Sequence, residues 1–533
     1  MKRIFTYSLT AAMALGASAA PSQPQTARPQ LVVGIVVDQL RTDYLEYLRD
    51  LFGQKGFNRL MQKGLYIRDL DYRALVEDAP TATAILYTGA SPADNGLTSA
   101  EIFSAESGKA LPALHDPTAI GNFTSRTFSP VSLRLSTIGD EIAIDGIALG
   151  KIYAVATDPQ QSVVMAGHAG NSALWLDEQS GNWCSTAYYR DFPPQISARN
   201  HRSPLSARID TIRWRPLLPI ARYPGLPAQK RAYEFSHTFP RSDRDVYRQF
   251  AASAPGNAEV TDVAIECLES QQLGRRGDAI DMLSIGYTAA PYKQVADGDF
   301  RFELEDSYVR LDHQIGRLLE AIDRGPGLEN TYIFLASTGY YDDATPYDPR
   351  YRVPSGDISV KRMESLLNSY LSAKYGNGDY VDAIHRRQIY LNRRAIEQRG
   401  LRQEEVRDAA REFVVKMSGV ASARTLGEIL GDNSAASEAL RLSTDPKTAG
   451  DIFLTFSPGW NVIDDSVYPS TTTPVRADAV MSPAMIMAPA VAPAVIDTPV
   501  DARRIAPTVA SSLHIRSPNG ADLKPLNLRI EEK

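Results

Sequence analysis

The run Leu31-Val32-Val33-Gly34-Ile35-Val36-Val37 is apolar at every position except Gly34, and it stops at the carboxylate of Asp38. A strand with one wet face would alternate polar and apolar residues, whereas this one leaves no face for water. Such a run belongs in the middle of a parallel sheet covered on both sides, and so predicts an α/β fold. In open sheets of that kind ligands bind at the carboxyl ends of the strands. Asp38 stands at that end. It is either a site carboxylate or the cap of the following turn or helix.

The 533 residues and 43% hydrophobic content supply a large core, as one α/β domain with insertions or as roughly two to three domains. The formal charge is −6, and no basic stripe interleaved with aromatics is present, so nucleic acid is not an expected partner. Past the N-terminus no apolar stretch is clean enough to span a bilayer, because Met481 to Val495 is broken by Pro483, Pro489 and Pro493. Lys2 and Arg3, the apolar residues from Leu9 to Leu15, and Ala17-Ser18-Ala19 read as a cleavable export signal, which predicts a periplasmic protein. Residues 20–30 read as a disordered lead-in. The only cysteines, Cys184 and Cys267, are open to two readings, a disulfide or free buried thiols.

Tyr44 to Gly64 has helical spacing, with Leu45, Leu48, Phe52, Phe57, Leu60 and Met61 on one stripe. Asp281 to Tyr287 and Tyr332 to Ala336 read as two further buried strands. The motifs Val36-Val37-Asp38-Gln39-Leu40-Arg41, Tyr87-Thr88-Gly89, Asn95-Gly96-Leu97, Ala166-Gly167-His168, Asp306-Ser307-Tyr308 and Ile505-Ala506-Pro507 then carry a specific likeness. In them the chain resembles the alkaline phosphatase superfamily, in particular the periplasmic phosphate-irrepressible alkaline phosphatases of Bacteroidota and the related nucleotide pyrophosphatases/phosphodiesterases. The likeness runs through nearly the whole mature chain. It implies an alkaline-phosphatase-like three-layer α/β sandwich with two insertions forming a cap. The corresponding segments are a signal peptide at 1–19, the lead-in at 20–30, core at 31–110, a cap insertion without long helices at 111–267, core at 268–345, a second insertion at 346–445 and core at 446–533.

In that family two zinc ions held by Asp and His side chains flank a Thr or Ser nucleophile, one activating the hydroxyl and the other stabilising the leaving oxygen. Carried over position by position, Asp38 is the one ligand retained. The second metal loop, Asp-x-x-x-His in the family, places Pro291 and Val295 at its ligand positions. The Asp-His pair after the next strand reads Thr338-Gly339, and the last His reads Met481. The cations that grip phosphate map to Asp158 and Gln160, and an Asn that holds a phosphate oxygen maps to Ala100. The nucleophile position is open: a match with a short deletion keeps Thr83, and a gapless match puts Ala79 there. Thr83 at a helix start also reads as a cap.

Other residues have bland and sharp readings side by side. His168 reads as structural, and His115, His201, His237, His313, His385 and His514 are scattered without ligand spacing. Asp342-Asp343, Asp464-Asp465 and Asp478, joined with Asp38, would make an oxygen-only Mg²⁺ or Ca²⁺ site, or they are ordinary loop carboxylates. Tyr340, Tyr341 and Trp460 are candidates to line a pocket or to fill a core. The expectation is therefore a degenerate relative that needs no cofactor and acts by binding an unidentified periplasmic protein or small ligand. The competing expectation is a divergent metal-dependent phosphoric ester hydrolase.

Overall fold

The computed structural model describes residues 28–145, 149–227, 229–230, 233–277, 279–295, 298–342, 352–467, 470–476 and 480–528. The export signal and most of the lead-in, and the carboxylates Asp343 and Asp478, lie outside the described residues.

Leu31–Asp38 is an inner strand of a ten-stranded sheet. It runs parallel to Asp281–Thr288 on one side and to Thr331–Ser337 on the other, with Asp38 level with Thr288 and Val37 level with Ser337. Beyond Asp281–Thr288 lie Ile152–Val155 and Ser172–Leu176, both parallel, and then the antiparallel Trp183–Thr186. Beyond Thr331–Ser337 lie Ala484–Met487, antiparallel, then Leu65–Ile67 and Ala494–Ile496. The parallel centre explains the unbroken apolar run, since both faces of these strands are covered.

Alternate residues of the central strand feed two cores. Leu31, Val33, Ile35 and Val37 pack with the helices Ala254–Ser270 and Arg301–Arg324. Val32 and Val36 face the other way, toward Ala79–Thr88, Pro159–Ala166 and Ile505–Leu513. Each such side chain, fully buried, is worth about 1.5–3 kcal/mol relative to exposure. Gly34 lies on the second face, where a Cβ would stand 2.4 Å from the Tyr87 hydroxyl oxygen and 2.6 Å from the Phe334 ring. The interruption in the apolar run is thus a close approach, not a weakness. Cys184 belongs to one core and Cys267 to the other. With the sheet between them they are free buried thiols, and the disulfide reading is set aside.

Three expectations about segments need correction. The Tyr44–Gly64 stripe is not one helix: it divides into Thr42–Tyr47, a short 3₁₀ turn at Arg49–Leu51, and Phe57–Lys63. The Asp312 carboxylate is wedged into the break, accepting from the backbone N–H of Gly53 at 2.8 Å and of Phe57 at 2.7 Å. Residues 111–267 are not a separate cap, since Ile152–Val155, Ser172–Leu176 and Trp183–Thr186 extend the main sheet and the 17-residue helix Ala254–Ser270 covers it. The second insertion runs past residue 445. It has its own core and a four-stranded sheet that includes Ile452–Phe456, and beside it Trp460–Asp464 pairs with Gly356–Ser359 on one side and with Thr471–Pro474 on the other.

Candidate functional site

At the end of the central strand the chain turns at Gln39, which is in the left-handed region with φ 58°. The Gln39 backbone N–H donates to Thr338 Oγ1 at 2.9 Å, and the buried Thr338 hydroxyl donates onward to Asp38 Oδ1 at 3.0 Å. Tyr340 supplies a second side-chain hydrogen bond to Asp38. The Asp342 backbone N–H donates to Gln39 Oε1 at 2.9 Å, and its carboxylate pairs with the Lys293 ammonium. Lys293 comes from the loop after Asp281–Thr288, so the loops following three neighbouring strands are tied together here.

Loss of water pushes the Asp38 carboxyl up to about 7. The hydrogen bonds from Tyr340 and Thr338 pull against that rise, and the negative charges of Asp158 and Asp342 add to it. The groups that pull it down are neutral hydroxyls, and the charged groups acting on it most strongly among the described residues are carboxylates.

Thr338 and Gly339 stand where the resemblance expects an Asp and a His. The Thr hydroxyl is spent on the two bonds just described. Gly339 has φ 75°, and a Cβ built on it would lie 2.3 Å from the Tyr72 ring. A His cannot enter unless Tyr72 leaves. Pro291 is half-buried, and Val295 packs against the hydrophobic core. Met481 is exposed; its carbonyl accepts from the Thr42 N–H at 3.0 Å and from the Tyr341 hydroxyl at 3.3 Å. None of these side chains offers the carboxylate or imidazole that zinc takes, so the donor set does not fit the family's dimetal centre. Among the described residues no group of three or more His, Cys, Asp or Glu side chains is arranged to hold a metal ion. Asp464 and Asp465 lie in the second insertion, where Asp465 accepts from the Lys361 N–H at 2.9 Å. Trp460 packs against that insertion's core, not at the strand ends.

The three phosphate-clamp positions are brought together, but they bond to the protein. Asp158 caps the helix Pro159–Ala166, accepting from the Gln161 N–H at 2.7 Å. Burial pushes its carboxyl up to about 6. Gln160 donates to the Ala100 carbonyl at 2.9 Å and accepts from the Leu114 N–H at 3.0 Å, which consumes both ends of its amide. The Ala100 N–H donates to Asp78 Oδ2 at 2.8 Å.

Asp78 is the N-cap of Ala79–Thr88, accepting from the Thr81 N–H at 2.9 Å. The helix starts at Ala79. Thr83 is fully buried one turn further in, and its hydroxyl donates to the Ala79 carbonyl at 2.7 Å. It is neither a cap nor open to a substrate. His168 is structural in its bonding: Nδ1 lies 3.0 Å from Asp140 Oδ2 and Nε2 lies 2.9 Å from the Leu133 carbonyl. Two residues of this region escaped sequence reasoning, Lys293 and Asp78. Their only signal was a charged residue inside a loop already marked as a ligand loop, and an Asp immediately before a helix-starting Ala-Pro.

A model of the type I phosphodiesterase / nucleotide pyrophosphatase family matches residues 32–478. The chain belongs to this family. Alkaline phosphatase PafA of Elizabethkingia meningoseptica is 26% identical over 537 residues, covering 94% of each chain. A protein of Myroides odoratus named a calcium-transporting ATPase is 28% identical over 533 residues, covering 95% of each. The crystal structure of wild-type PafA superposes with a TM-score of 0.81 at 24% identity, over 94% of this chain and 98% of that one. This phosphodiesterase-family chain therefore has the alkaline-phosphatase-like fold, with a large central sheet between helical layers. Among the described residues no helix is long and apolar enough to cross a membrane.

Proposed function

We propose that this chain is a catalytically degenerate member of the family, exported to the periplasm, that acts by binding a ligand or protein partner without hydrolysing phosphate esters. One observation carries the reading. At the strand ends, Asp38 is held by the neutral hydroxyls of Thr338 and Tyr340, while the nearby carboxylate of Asp342 is paired with Lys293. Phosphoryl transfer needs positive charge placed where the transferring group and the leaving oxygen develop negative charge. Here the retained carboxylate is desolvated and has acidic neighbours in Asp158 and Asp342. Above about pH 7, where both carboxyls are ionised, an anionic ester approaching Asp38 and Asp158 would be repelled by both. Burial of Thr83 removes the hydroxyl that the resemblance offered as nucleophile.

A second reading is a divergent phosphoric ester hydrolase working with Mg²⁺ or Ca²⁺. The name of the PafA relative favours it, as does the closeness of Asp38, Asp158 and Asp342. The two readings separate in one assay. Hydrolysis of aryl phosphate mono- and diesters is measured for the wild type and Asp38→Asn across added zinc, magnesium and calcium. The binding reading expects background rates throughout, because the uncatalysed reactions are extremely slow. Metal-dependent turnover that disappears in Asp38→Asn would establish the hydrolase instead.

A further inference from the structure

The segment Arg213-Trp214-Arg215-Pro216 takes no part in the strand-end site. Trp214 is buried, and its indole N–H donates to Asp306 Oδ2 at 2.6 Å. That bond fastens the segment to the helix Arg301–Arg324 and leaves Arg213 exposed beside it. Arg213 lines a cavity of about 260 Å³ between this helix, the helix Ala254–Ser270 and the stretch around 208–213. Ligand pockets run from about 300 to 1,000 Å³, so this one suits a compact molecule.

The walls divide by chemistry. Ile212, Phe250, Ala254 and Pro255 make an apolar side, and Arg208, Arg213 and Arg310 make a cationic one. Two acids also line the space, and both are already matched. Buried Glu259 accepts from Arg199 at 2.9 Å and from Arg208 at 2.5 Å, and Asp262 accepts from Arg317 at 2.8 Å. Arg199 and Arg317 neutralise the acids from outside the lining, and Arg208, within it, is spent on Glu259. Arg310 is bonded to Asp306 at 2.6 Å. Among the described residues the Arg213 guanidinium has no side-chain partner, and it leaves an uncompensated positive charge at the cavity. The surrounding sequence points the same way: residues 186–250 carry twelve Lys or Arg against five Asp or Glu, in a chain whose net charge is −6.

We propose that this cavity is a binding site for a small organic anion, a carboxylate or phosphate on a compact apolar body such as a single ring. Arg213 grips the charged group, since a guanidinium presents a planar fork that matches carboxylate and phosphate oxygens. Phe250 and Ile212 receive the body. The site is separate from Asp38 and stands whether or not the strand ends are catalytically dead.

The test is calorimetric titration of the full mature protein with benzoate, phenyl phosphate, inorganic phosphate and benzyl alcohol. Arg213→Glu and Ala258→Phe are run beside the wild type, because one reverses the charge and the other fills the cavity. Arg213 is exposed and Ala258 half-buried, so both variants should melt with the wild type. Saturable binding of benzoate or phenyl phosphate at about millimolar or tighter is expected, weakened about tenfold or more by either substitution. Preference between those two probes identifies the head group, and either preference supports the site. Binding that is equal in all three proteins, or no saturable binding of either ring anion, would overturn it. Inorganic phosphate or benzyl alcohol binding as tightly as phenyl phosphate would also overturn it, since the site requires charge and ring together.

Discussion

Replacing Asp38 by Asn tests the state of the strand-end carboxylate. Its pKa in the folded chain is raised from 3.8 to about 7. Below the unfolded value both states hold the proton, and the group costs the fold nothing. As pH rises the unfolded chain ionises first, and stability is lost until the folded carboxyl also ionises near 7. At about 1.4 kcal/mol per pKa unit the full shift sets a ceiling of ~4 kcal/mol. Asp38 is only half-buried, so water screens part of this, and a penalty of ~1–3 kcal/mol is expected. The substituted amide would keep an acceptor oxygen for the Thr338 hydroxyl without the charge. The variant should therefore unfold at higher urea concentration than the wild type at about pH 8, with the gap closing toward about pH 4. An Asp38→Asn variant less stable than the wild type at the higher pH would refute this reasoning, because it would mean that the folded protein holds a cation against Asp38.

Two further outcomes are expected. Gly339→His restores a ligand residue in name, but its side chain must displace the Tyr72 ring from 2.3 Å and hold φ 75°, so it should destabilise by ~3 kcal/mol or more in a chemical melt and gain no zinc. Unchanged stability would show that Tyr72 yields readily. In a thiol-reagent assay the native protein should be nearly silent and the denatured, unreduced protein should yield two thiols, since Cys184 and Cys267 are both buried and free; recovery of none would mean that they are bonded.

What was legible in the sequence was local or periodic. The apolar run to Asp38 could only be a strand covered on both faces, and it ends at that carboxylate. That Pro291, Val295, Thr338 and Met481 carry no carboxylate or imidazole is equally readable, and the resemblance alone sets them at ligand positions. What filled the emptied positions was not readable. The pairing of Lys293 with Asp342, the Thr338 bond to Asp38 and the Tyr72 ring over Gly339 join residues far apart in sequence. The helical stripe from Tyr44 to Gly64 misled because its period says nothing of Asp312, which enters from another helix and breaks it. The second insertion was cut short because Ile452–Phe456 looks like any buried strand until its partners Gln388–Leu391 and Val420–Thr425 are known. Thr83 kept a nucleophile's chemistry in sequence; only the packing of its helix shows that the hydroxyl is turned inward onto Ala79.

On the proposed function the strand ends hold no dimetal centre. Elemental analysis of the mature protein, expressed with zinc in the medium and desalted without chelator, tests it most directly. Zinc far below one per chain is expected, because one carboxylate and neutral hydroxyls do not offset the cost of stripping the ion's water. About two zinc per chain, as in two-metal hydrolases, would contradict it.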